Sequence, residues 1–147
     1  MSASSRRPMG VTFVALALFW LFVAAIGNLF VWRSMQPTLF PPQSPAAGII
    51  EALTGPLFVS LVSLYGVTAL VATIAAWRML PWMSVAFLIW SVAALLLGAF
   101  FLRAIPASLI MGGKFAAFAF VAGMAAILWI IYRYLRRVAV GSANAAL

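Results

Sequence analysis

The chain contains no cysteine, no histidine and no aspartate, and its 147 residues include one acid, Glu51. Each absence excludes a chemistry. Without cysteine there is no disulfide, no thiol nucleophile and no thiolate metal site. Without histidine as well, haem and iron–sulfur clusters lose their usual ligands, and methionine has nothing to pair with as an axial ligand. A catalytic centre would have to rest on Glu51, tyrosine, serine, Lys114 and arginine, which is strained acid–base or nucleophilic chemistry. The residues therefore predict a protein that is not an enzyme and holds no metal. The sequence carries no Gly-rich phosphate loop, nucleophile motif or internal repeat.

Charge is scarce too, at 7% of residues, while 67% are hydrophobic. Soluble domains average roughly 45–50% apolar and about 25% charged. A small water-soluble fold keeps too much surface exposed to bury that apolar excess. The apolar side chains must face lipid, or a partner within lipid. The net charge of +8 does not point to nucleic acid, because the basic residues sit at the ends of apolar runs instead of along one polar face.

Four such runs fill most of the chain: Val11–Trp32, Pro56–Trp77, Trp82–Leu102 and Phe115–Tyr132. None contains a formal charge. About 20 residues at 1.5 Å rise cross a hydrocarbon core of roughly 30 Å. The runs show no period-two alternation, so barrel strands are excluded. In lipid a continuous apolar run must close its own backbone hydrogen bonds, hence helices. The expected fold is an all-α bundle of four transmembrane helices in a single membrane domain, 1–147. Span one, although flanked by Arg6 and Arg7, is too long for a cleaved leader and is expected to be an anchor.

Arginine and lysine orient the bundle. Arg6, Arg7, Arg78, Arg133, Arg136 and Arg137 fall on one side of alternating spans, and Arg33, Arg103 and Lys114 on the other. Six against three predicts both termini in the cytoplasm. Trp77, Trp82, Trp129, Tyr132 and Tyr134 gather near that same surface, where amphipathic rings prefer to lie. The short Trp77–Trp82 link makes spans two and three an antiparallel hairpin. Arginine-over-lysine and Ala-rich usage suggests a bacterial chain of the cytoplasmic (inner) membrane.

The segment 33–48 holds Pro37, Pro41, Pro42 and Pro45. It is expected to be a non-helical connector outside the membrane. Residues 47–54 suggest a short interfacial helix, with Gly55-Pro56 breaking the path before span two. Glu51 falls there, at the interface. Its expected role is an ion pair with Arg33 or Arg103, or a favourable charge at a helix start; a coupling role in transport is the sharper alternative. Small multidrug transporters also have four spans and one essential Glu, but theirs lies inside the first span, whereas Glu51 precedes the second.

Asn28, near the end of span one, is expected to hydrogen-bond another helix. Trp20 and Trp90 lie deep in spans one and three. Filling bundle volume is their expected role, with a pocket for a quinone, carotenoid or lipid tail as the alternative. Span four has the clearest packing pattern: Ala116, Ala119, Gly123 and Ala126 recur at helical spacing, and Ala94 and Gly98 repeat it in span three. Small faces let helix backbones approach closely, which is how spans associate in lipid. The function expected from all this is a non-catalytic accessory or structural subunit of a larger membrane complex. Its partners would be the bilayer, other membrane subunits or a second copy. The alternative is a small four-span transporter or channel, homodimeric, for an apolar or anionic substrate, with Glu51 as coupling residue.

Overall fold

The computed structural model describes the backbone of residues 8–39, 52–104 and 113–144, and the side chains of 8–31, 52–104 and 115–141. Four long helices, α1 (Met9–Leu39), α2 (Pro56–Trp77), α3 (Met83–Ala104) and α4 (Gly113–Asn144), make up the fold. All four are long and apolar enough to cross a membrane. Among the described residues there is no strand.

Local chemistry sets the helix ends. Pro8 opens α1, its carbonyl accepting from the Val11 and Thr12 amides. Gly55, in an extended conformation, is the residue before α2, and Pro56 takes the first helical position. There its missing N–H is no loss, because the first amides of a helix have no internal acceptor. The α2 end closes on a double bond: the Leu80 amide donates to the Ala75 carbonyl and the Met79 amide to that of Ala76. This motif needs a left-handed residue, usually glycine. Here it is Met79, at φ 53°. The tight turn that results joins α2 to α3 as the antiparallel hairpin expected from the short link.

Two helices run further than the apolar runs suggest. α1 continues through Pro37 to Leu39, so residues 33–39 of the stretch expected to be connector are helical. Pro37 lies in the last turn, where its missing amide forfeits one bond without splitting a ladder that continues beyond it. Residues 40–51, with Glu51, lie outside the described residues; Ala52–Thr54 form a helical turn ahead of Gly55. α4 continues past Tyr132 because Leu135 and Ala139 still have a core to enter, both being buried.

The helices pack in chain order, α1 on α2, α2 on α3 and α3 on α4. One buried cluster, with Val11, Ala15, Ala75, Ala76, Met83, Phe87, Leu135 and Ala139, ties all four helices together at the end carrying the α2–α3 turn. We call this the turn end. There α1 also meets α4: a Cβ on Gly10 would lie 2.6 Å from the Tyr134 hydroxyl. At the far end a second cluster joins Ala25, Leu53, Phe58 and Val62 with Leu97, Phe100 and Phe101. It draws on α1, α2 and α3 without α4.

Small side chains make up much of the core of α2 and α3. Ala69, Ala72, Ala75 and Ala76 of α2 and Ala86 and Ala93 of α3 are buried, while Val67, Val71, Ile74, Ile89 and Val92 face outward. A hydrocarbon solvent removes any need for apolar residues to hide, so packing selects by size: small residues where backbones approach, bulky ones toward lipid.

Candidate functional site

Two surfaces stand out. The first is a cavity of about 370 Å³ at the far end, walled by Leu21, Ala25, Phe58, Val62, Leu97 and Phe101. Phe58 builds its floor, with its ring 5.8 Å from that of Phe101, edge to face. Asn28 and Tyr65 are the polar side chains in the lining. The Asn28 amide donates to the Ala24 carbonyl at 2.9 Å, within its own helix. That bond, to a carbonyl one turn back, uses one of the two N–H groups of the amide.

The hydroxyls behave alike. Ser60 donates to the Pro56 carbonyl, Thr68 to that of Leu64, Thr73 to that of Ala69 and Ser91 to that of Phe87, each at 2.8 Å. Each thus spends its donor on its own helix. Beside the cavity, Trp90 is buried between Tyr65 and Phe87, with ring centroids 5.8 and 5.4 Å away. Its indole N–H lies near the Tyr65 hydroxyl without reaching hydrogen-bond geometry with any described acceptor. Trp90 thus fills the bundle, as expected of a large aromatic there. Trp20 does not: it is 71% exposed. The buried residues of α1 recur at Val11, Ala15, Leu18 and Ala25, and at 3.6 residues per turn Trp20 falls on the opposite face.

The second surface is the outward side of α4. Its inward side carries Ala117, Leu128, Leu135 and Ala139, all buried. Ala119, Gly123 and Ala126 are exposed, and Ala116 half-buried. Helical geometry puts the three exposed positions roughly opposite the buried ones. A Cβ added at Gly123 would meet nothing within 4 Å. In α3, Ala94 packs partly buried against the main cluster, while Gly98 is half-buried with open space beside it. Ala119, Gly123 and Ala126 therefore do not pack this chain on itself.

Below that stripe, toward the turn end, the same side of α4 carries Trp129, Arg133, Arg136, Arg137 and Val140 around a groove of about 510 Å³. Arg103 is exposed at the far end. The Arg33 side chain and all of Glu51 lie outside the described residues, so their expected ion pair does too. Sequence reading missed the far-end cavity. Its one signal was the aromatic set Phe58, Phe100 and Phe101, at matching depths of α2 and α3.

Chemically these surfaces offer shape, apolar contact and positive charge. The described residues hold no group of three or more metal-ligating side chains. No protein-family model matches the chain, and no curated protein or solved structure matches it significantly.

Proposed function

We propose that this protein is a non-catalytic accessory subunit of a larger membrane complex, acting by packing its helices against a partner's. One observation carries the reading. Ala69, Ala72, Ala75 and Ala76 of α2 and Ala86 and Ala93 of α3 are covered by neighbouring helices, whereas Ala119, Gly123 and Ala126 of α4 face away from the bundle. Lipid tails gain nothing from small side chains over large ones; a second helix does, because its backbone can come close. The stripe fits a partner's membrane-spanning helix. In this reading the protein lies in a bacterial inner membrane with both termini cytoplasmic, since Arg78, Arg133, Arg136 and Arg137 gather at the turn end.

The variant that tests the surface is Gly123→Ile. Open space at Gly123 leaves room for the new side chain in the isolated protein, so helicity and thermal midpoint should stay near wild type. Co-purification of partner chains from native membranes should fall at least tenfold. Unchanged co-purification would remove α4 as the contact.

A further inference from the structure

We propose that the groove at the turn end of α4 binds the phosphate headgroup of an anionic phospholipid. Arg133, Arg136 and Arg137 stand at i, i+3 and i+4, neighbours on one helical face. All three are exposed and line the same groove. A guanidinium offers a planar fork of donors that matches phosphate oxygens two at a time. Three of them around one groove form a site for a phosphodiester and its charge.

The depth is right for a headgroup. Leu135 and Ala139, interleaved with the arginines, share a buried cluster with Met83 at the start of α3 and Val11 at the start of α1. The arginines therefore lie level with the α2–α3 turn, where Trp77, Arg78 and Trp82 also sit exposed. One turn toward the span, Trp129 and Tyr132 pair at 5.4 Å. Such rings favour the boundary between headgroups and acyl chains, so they flank the apolar side of the phosphate position. Charge complementarity selects the occupant. The described residues include no acidic side chain to compete for the arginines. The inference does not depend on the partner proposed for the stripe.

The test uses the full chain in nanodiscs of phosphatidylcholine, titrated with fluorescent phosphatidylglycerol. A basic residue near an anionic surface is worth about 1 kcal/mol, or roughly fivefold in affinity. Each single variant, R133Q, R136Q or R137Q, should weaken binding about fivefold, and the triple variant about a hundredfold. Arg103→Gln, at the far end, should leave it unchanged. Should the triple variant fail to fold, the three single variants decide. Binding of phosphatidylglycerol no tighter than phosphatidylcholine, or equal loss in Arg103→Gln, overturns the proposal. So does displacement by inorganic phosphate at the lipid's own concentration, which would make the site one for free anions.

Discussion

Gly66→Leu is expected to separate α1 from α2 and to cost the fold about 3 kcal/mol, the upper range for overpacking a tight interface. Gly66 is buried, and a Cβ there would lie 3.3 Å from the Ala25 Cβ and 3.9 Å from the Phe22 ring. The nearer atom is the first carbon of a helix side chain, so it moves only if the helix moves. Leucine would add three further carbons in that direction. Gly66→Ala is the informative contrast. It tightens one contact by a few tenths of an ångström but removes glycine's helix penalty, about 0.5–1 kcal/mol, so its net effect should be small. Unfolding in mixed micelles measures both. A leucine variant as stable as wild type would mean the two helices do not pack as described.

Phe87→Ala should destabilise by about 2 kcal/mol. Phe87 is the largest of the fully buried side chains and lies against Trp90. In a soluble protein the cost of Phe→Ala, about 3–5 kcal/mol, combines transfer out of water with the cavity left behind. Here the separated helices remain in hydrocarbon, so the transfer part largely drops out. The cavity part persists: roughly 100 Å³ at about 24 cal/mol per Å³ gives the figure. Phe13→Ala removes the same ring from a side chain 74% exposed and should change stability by less than about 0.5 kcal/mol. The same unfolding experiment decides, and equal losses at the two sites would contradict the burial pattern.

Length and hydropathy suffice to locate four helices in this sequence, because the hydrocarbon core demands them. Which face of each helix turns inward is harder. In water, polarity marks the outer face; in lipid both faces are apolar. Trp20 illustrates the difficulty, since its depth was readable and its direction was not. Size carries the missing information. In α2 the buried residues Gly66, Ala69, Ala72 and Ala76 recur at intervals of three, three and four, whereas the buried face of α1 mixes Ala15 and Ala25 with Val11 and Leu18. Span four follows size only halfway: its small residues were legible as a packing face, but whether that face met this chain or another depended on where Leu128, Leu135 and Ala139 pointed. The far-end cavity was beyond reach, because it arises from three helices meeting at one depth. The basic face of α4 was legible as charge near a membrane surface; its groove required the helix to continue past Tyr132.

Asn28 taught a related point. An amide at that depth reads as glue between helices, yet one of its N–H groups donates to the Ala24 carbonyl of its own helix. Ser60, Thr68, Thr73 and Ser91 make the same choice. The small side chains Ala119, Gly123 and Ala126 of α4 are a surface that this chain leaves uncovered.

The central claim, that the chain works as a subunit bound through α4, is tested most directly by the composition of the particle extracted from native membranes in mild detergent. Native mass measurement of that particle should give this chain together with chains of different sequence at fixed stoichiometry, and Gly123→Ile should release it from them. A particle containing copies of this chain alone, unchanged by Gly123→Ile, would contradict the account.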